Sequence, residues 1–288
     1  MSDVLTPTEP LVPSDGISLA AWTAGPPGGP LALLVHANSL CATTLTELAR
    51  PLAATHRVVA WDIRGHGRSS VPADLDAYAW ERFADDLTGV VRRLGPVDLV
   101  ACHSFTGSCA LVAGAKSPGL FRRLVLMDPV LLPADPERAA ALARGTREKA
   151  PRTFPGPIDE AVATLRRNRL FARCTEESVR HYVEDGMLLG ADGTRTLRCS
   201  RDVEAAVYER RLGGERLVEA AGAGRIPVLL LHAEERRVVE LAPTERRYAE
   251  QVVAASPGST LTEVAGVGHF MPLEAPERTA ELILAWGR

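Results

Sequence analysis

The sequence predicts an α/β fold, a mostly parallel central sheet flanked by helices and interrupted by a helical insertion. Short β-like runs alternate with helical stretches along most of the chain, the pattern of a sheet with helices on both faces. Two of these runs, Leu31–Val35 and Val228–Leu231, are continuously apolar, as central strands covered on both sides are. From Leu132 to Arg225 the β-like runs disappear, and prolines and glycines divide the segment into helical pieces.

In chain order, β-like runs occupy Ile17–Trp22 and Leu31–Val35, separated by the loop Gly25–Pro30. A helical period over Thr43–Ala54 leads to the run Arg57–Trp61, and a second helix, Trp80–Leu94, stops at Gly95 and Pro96. The run Val97–Cys102 passes into helix Phe105–Lys116, which is followed by the run Leu124–Met127. Four helical pieces then fill the insertion: Pro136–Lys149, Ile158–Phe171, Thr175–Leu189 and Asp202–Ala221. The run Pro227–Leu231, helix Pro243–Ala254, run Thr260–Val264 and helix Pro276–Trp286 complete the chain. The expected organisation is a core of residues 1–131 and 226–288 with a helical cap, 132–225. Its place between two core strands sets that cap over the carboxyl edge of the sheet, where open α/β sheets bind ligands. Leu165, Leu170, Phe171, Tyr182, Val183, Met187 and Leu188 form its apolar faces, and part of that surface is expected to line a pocket.

Composition narrows the function. A chain of 288 residues with 46% hydrophobic and 24% charged residues buries one large core. Its formal net charge of −3 gives no reason to expect nucleic acid or an anionic membrane as partner. The five cysteines lack the paired spacing of zinc or redox sites. Residues 1–16 have neither the basic end nor the apolar run of a signal peptide, and no stretch approaches ~18 apolar residues. A cytoplasmic location is the expectation. Oligomeric state is not readable.

The chemistry concentrates at the ends of the β-like runs. Val97 to Gly107 carries a strand into Ser104 and directly on into a helix, the setting of a nucleophile held on a sharp turn. Small residues are required two places either side of such a serine; here these are Cys102 and Thr106, with Gly107 next. An oxyanion needs two aligned N–H donors. Phe105, which follows the serine, supplies one, and the backbone of Asn38, in the polar loop after Leu31–Val35, is the natural second. The Asn38 side-chain amide is also placed to reach a substrate or water. After Arg57–Trp61 comes Asp62-Ile-Arg-Gly-His-Gly-Arg-Ser69, a tightly folded loop that an Asp62–Arg64 ion pair would fix. His36, His66 and His103 read as structural hydrogen-bonding residues.

His269 lies on the glycine-rich loop Val264–Pro272 after the last β-like run. An imidazole there can take a serine proton at neutral pH and return it to a leaving group. The carboxylate that orients it has two candidate places. Asp128 directly follows Leu124–Met127, and Glu234 and Glu235 follow Pro227–Leu231.

Taken in order, His36-Ala-Asn38, Asp62-Ile-Arg-Gly-His-Gly67, His103-Ser-Phe-Thr-Gly107 and Gly268-His269 resemble the motifs of the α/β-hydrolase superfamily, in its lidded, esterase-like branch. The resemblance runs from about Gly16 to the end and implies a Ser–His–acid triad. Most members carry the acid in the loop here reading Ala233-Glu-Glu-Arg236, with arginine at the usual place; a subset carries it where Asp128 stands, which favours Asp128 over the alternative acid Glu235. The implied activity is hydrolysis of a carboxylic ester or related small acyl compound through an acyl-enzyme, with no metal or organic cofactor. A C–C bond hydrolase or lyase, a lactonase, or a degenerate non-catalytic binding member are the alternatives.

Overall fold

A computed structural model describes residues 4–13, 15–235 and 239–286. Its centre is an eight-stranded sheet built from β1 (Thr6–Leu11), β2 (Leu19–Ala24), β3 (Leu31–Val35), β4 (Arg57–Trp61), β5 (Val97–His103), β6 (Phe121–Met127), β10 (Val228–Ala233) and β11 (Thr260–Val264). Between β6 and β10 lie three short strands, β7 (Thr153–Phe154), β8 (Met187–Leu189) and β9 (Arg195–Leu197). The spatial order of the large sheet is β1-β2-β4-β3-β5-β6-β10-β11. Strand β2 pairs antiparallel with β1 and β4, and every pairing from β4 to β11 is parallel. All residues of β3 and β10 are buried, which accounts for the unbroken apolar sequences of β3 and of Val228–Leu231 within β10.

The helices of the core are α1 (Thr46–Leu52), α2 (Trp80–Leu94) and α3 (Phe105–Lys116), with α9 (Ala242–Ala255), α10 (Met271–Glu274) and α11 (Pro276–Trp286) after the insertion. Helix α3 packs between α2 and α8 (Gly214–Gly224). It is buried over most of its length, with Ser104 at its N-terminus fixed against the middle of the sheet. Phe105 wedges its ring between Trp80 and Phe83, with centroids 5.8 and 5.0 Å away, and so pins the start of α3 to α2.

The insertion carries α4 (Pro136–Arg147), α5 (Ile158–Arg166), α6 (Glu176–Glu184) and α7 (Arg201–Glu209). It is not wholly helical: β7, β9 and β8 form a small antiparallel sheet. The expected helix Thr175–Leu189 ends at Glu184 because Gly186 turns the chain against the Tyr182 carbonyl, where a Cβ would stand only 2.5 Å away. A tight turn at Gly190–Gly193, with Gly193 at φ +78°, then returns the chain from β8 towards β9. The expected helix Asp202–Ala221 likewise breaks into α7 and α8 at Gly213 and Gly214, where a Cβ on Gly214 would meet the Tyr248 ring at 2.8 Å. Helix α8 packs on α3 and α9 and so joins the core layer rather than the rest of the insertion. Strand β1 was not expected. Its two prolines are tolerated because it is an edge strand, exposed at five of its six residues.

The loop after β4 is held differently from the expected Asp62–Arg64 pair. The buried Asp62 carboxylate accepts from the backbone N–H groups of Ala42 and Arg68, both at 2.7 Å. Arg64 instead makes a bidentate pair with Asp86, at 2.6 and 2.5 Å, and reaches Asp15. Gly67 sits at φ +48° with a Cβ position 2.0 Å from Asp62 Oδ2, so the loop can close on Asp62 only with glycine there.

Candidate active site

Strands β5 and β6 run side by side with His103 opposite Met127. One step beyond each strand the backbone pairing continues: Ser104 N donates to the Met127 carbonyl at 2.9 Å, and Asp128 N donates to the Leu231 carbonyl at 2.8 Å. Both residues adopt positive φ, 62° at Ser104 and 48° at Asp128. That is costly backbone for residues bearing a Cβ, and it turns both side chains out at the carboxyl end of the sheet. The loop after β11 brings in His269. Its Nδ1 lies 2.7 Å from Asp128 Oδ2 and its Nε2 lies 2.9 Å from Ser104 Oγ. Because a carboxylate only accepts, Nδ1 carries the proton, which leaves Nε2 free to accept from the serine hydroxyl. The second Asp128 oxygen accepts from Ala233 N at 2.9 Å.

The structure thus brings Ser104, His269 and Asp128 into one hydrogen-bonded chain. Glu235 is not part of it: its side chain is exposed and paired with Arg173. Glu234 accepts from Gly266 N at 2.6 Å, and Arg236 lies outside the described residues.

The turn tolerates Cys102 and Thr106 for separate reasons. Cys102 is fully buried and compact. The Thr106 hydroxyl donates to the His103 carbonyl at 2.8 Å and lies 3.2 Å from the His36 carbonyl, tying the turn to the end of β3. Close approach falls to Gly107, whose Cβ position would stand 3.3 Å from Leu126 and 3.4 Å from Pro129.

Asn38 and Phe105 border the same cavity as Ser104 and His269. The Asn38 side chain is partly committed. Its Nδ2 donates to the Glu204 carbonyl at 3.1 Å, and its Oδ1 lies 3.0 Å from His66 Nε2. These contacts orient the amide and use one of its two Nδ2 hydrogens. His66 Nδ1 lies 2.9 Å from the Arg64 carbonyl, and burial takes the pKa of His66 down to about 4. His36 accepts from Ile63 N at 3.0 Å and donates through Nδ1 to the Ala37 carbonyl at 2.8 Å; its pKa is lowered by burial and by His66.

Two residues hold His269: His103, in the structural hydrogen-bonding role expected of it, and Glu274, which the sequence did not single out. His103 Nε2 donates to the His269 carbonyl at 2.7 Å. Burial, reinforced by the neighbouring His269, lowers the His103 pKa to about 3 and keeps the ring neutral. Glu274, the last residue of α10, accepts from the backbone N–H groups on both sides of His269: Gly268 N at 2.9 Å and Phe270 N at 3.2 Å. Arg173 from the insertion steadies that carboxylate at 3.3 Å and also binds the Gly266 carbonyl. The only sequence signal was Gly268, whose Cβ would stand 2.9 Å from Glu274 Oε1.

The cavity over Ser104 has a volume of about 500 Å³. Of the apolar insertion residues expected to line a pocket, Leu170, Phe171 and Tyr182 do so. Leu165, Val183 and Met187 are buried away from it, and Leu188 is exposed.

Two measurements check this account of His269. Replacing Glu274 with glutamine leaves one acceptor for two N–H groups, and kcat should fall roughly 10- to 100-fold with little change in KM. An unchanged kcat would show that the loop holds its shape without Glu274. The second concerns His103, whose neutral form the fold favours because its folded pKa lies below the unfolded value near ~6.5. Its stabilising contribution is complete above that value and is lost as pH falls towards 3. Denaturant unfolding of the wild type and His103→Gln should therefore diverge below about pH 6.5, with the wild type losing up to ~1.4 kcal/mol per pH unit relative to the variant. Parallel curves would contradict a buried neutral His103.

The alpha/beta hydrolase family model matches residues 32–282. Among curated relatives, the probable oxidoreductase EphD of Mycobacterium tuberculosis is 32% identical over 151 residues, 51% of this chain but only 25% of that protein. The chain thus spans about a quarter of the length of the first such relatives it matches. The 2-(acetamidomethylene)succinate hydrolase of Mesorhizobium japonicum is 28% identical over 262 residues, covering 88% of this chain and 87% of the relative. Among solved structures, an E-2-(acetamidomethylene)succinate hydrolase superposes with a TM-score of 0.80 at 24% identity, covering 98% of both chains, a likeness of fold. With the family model matching most of its length, and a largely parallel sheet turning through Ser104 into α3, this chain belongs to the alpha/beta hydrolase family.

Proposed function

We propose that this hydrolase-family protein is a serine hydrolase that cleaves a carboxylic ester or related small acyl compound. The observation that carries this reading is the hydrogen-bonded chain Asp128–His269–Ser104 opening onto a cavity of about 500 Å³. In the proposed reaction His269 Nε2 takes the Ser104 proton as Oγ attacks the acyl carbon. Asp128 holds the tautomer and stabilises the imidazolium that forms. The backbone N–H groups of Phe105 and Asn38 receive the oxyanion. The imidazolium then gives its proton to the leaving group. Water, activated by the same imidazole, resolves the acyl-enzyme. Residues 132–225, except for α8, act as a lid in this reading, supported by Leu170, Phe171 and Tyr182, which line the cavity that contains Ser104.

The carboxylate on His269 Nδ1 weighs against a degenerate binding member, because Asp128 fills the role that the loop Ala233-Glu-Glu-Arg236 leaves open at the usual place. A lactone would use the same steps. A serine rather than an aspartate as nucleophile favours acyl chemistry over epoxide opening.

The acid assignment has a direct kinetic test. Asp128→Asn should keep the fold and lower kcat on an aryl ester by up to ~10⁴, because an amide there allows the wrong imidazole tautomer. Glu235→Gln, altering a side chain paired with Arg173, should change the rate little. A large loss in Glu235→Gln with Asp128→Asn near wild type would overturn the assignment.

A further inference from the structure

The wall of the cavity contributed by the insertion holds a charge cluster that the proposed reaction does not use. Glu204, on α7, is almost completely buried and accepts from two arginines: Arg152 Nη2 on one oxygen and Arg201 Nη1 on the other, each at 2.9 Å. The remaining donors of Arg201 reach the Ala150 carbonyl, Nε at 3.1 Å and Nη2 at 3.0 Å. Arg152 differs. Its Nη1 is buried with no hydrogen-bond partner among the described residues. Two guanidinium ions therefore share one carboxylate, and the unmatched donor belongs to Arg152.

A buried cationic donor without a partner is expensive, and removing water from it is repaid only when an acceptor arrives. Nη1 itself is closed off, so it is the remainder of the Arg152 side chain, 23% exposed overall, that lines the cavity containing Ser104 together with Glu204, and a small shift of the guanidinium would bring Nη1 to an acceptor there. The cluster is joined to the loop after β3 by the bond from Asn38 Nδ2 to the Glu204 carbonyl, so it lies next to the residue whose backbone N–H would receive the oxyanion. Tyr182, on the same wall, adds an aromatic surface beside it. A guanidinium offers a planar pair of donors matched to a carboxylate, and such charge-assisted bonds are among the stronger polar contacts.

We infer that Arg152 is the anchor of an anion subsite, and that the substrate is an acyl compound bearing a free carboxylate in addition to the bond that is cleaved. This rests on the serine-hydrolase reading of Ser104. The added carboxylate would complete the Glu204 cluster to two cations and two anions, and hold the scissile group over Ser104 at a fixed distance from the cavity wall.

The test uses two matched pairs: 4-nitrophenyl hydrogen adipate against methyl 4-nitrophenyl adipate, with the charge in the acyl part, and 4-acetoxybenzoate against its methyl ester, with the charge in the leaving group. The wild type should prefer the acid over the neutral ester in one pair by about 10- to 100-fold in kcat/KM, mainly through KM. The preferred pair identifies which side of the bond faces Arg152. In Arg152→Met that ratio should fall to about 1, whatever happens to the absolute rates. Should that variant not fold, the wild-type ratios decide the question together with binding to Ser104→Ala. That protein's melting temperature should rise with at least one of the two acids and not with the matching methyl ester. No preference for acid in either pair, or a preference that survives in folded Arg152→Met, would overturn the inference. Absence of hydrolysis of all four esters would count instead against the serine-hydrolase reading, with the melting shift still reporting on the anion subsite.

Discussion

The parallel register of β5, β6 and β10 is the constraint on which the site depends. Because Ser104 N donates to the Met127 carbonyl and Asp128 N to the Leu231 carbonyl, the sheet pairing runs one residue past the ends of β5 and β6. It leaves Ser104 and Asp128 on neighbouring strands at the same level. A one-residue slip in either strand would turn its side chains to the opposite face and separate the two. Both residues are held at positive φ, a conformation worth roughly 1–3 kcal/mol of strain for a residue with a side chain. The strands beneath them can hold it: the C-terminal four residues of β5 and β6 and all of β10 are buried.

His269 has no such strand beneath it, and its position is built from polar contacts. His103 grips its carbonyl from the elbow, Glu274 grips the N–H groups on either side, and Asp128 holds its Nδ1. Three elements far apart in sequence therefore set one ring, which gives the imidazole a fixed direction towards Ser104. Arg173 extends the arrangement into the insertion by touching Glu274, Glu235 and the Gly266 carbonyl. The insertion, which lines part of the cavity, is thus connected to the loop bearing the imidazole.

What could be read in the sequence, and what could not, divides along physical lines. The parallel core was legible because β3 and the Val228–Leu231 stretch of β10 are covered on both faces and so are apolar without alternation. Ser104 and Asp128 stood out because each follows directly on a strand, and His269 because glycines flank a loop at the same edge. The small sheet of the insertion was not legible: β7, β8 and β9 are two or three residues long and have no period to detect. Strand β1 was hidden by prolines that only an edge strand accepts. Glu274 could not be found because its partners are backbone N–H groups that the fold alone brings within reach. Arg64 was matched to the wrong aspartate, since Asp62 is nearer in sequence whereas Asp86 is opposite in space.

The central claim is that Ser104 is an activated nucleophile, and its chemistry can be read without knowing the substrate. Intact-mass measurement after brief exposure to a fluorophosphonate should show a single phosphonyl adduct, mapped by peptide sequencing to Ser104. Labelling should slow greatly in His269→Ala, whose serine has lost its base. A wild-type protein that stays unmodified, or that labels equally fast without His269, would contradict the account.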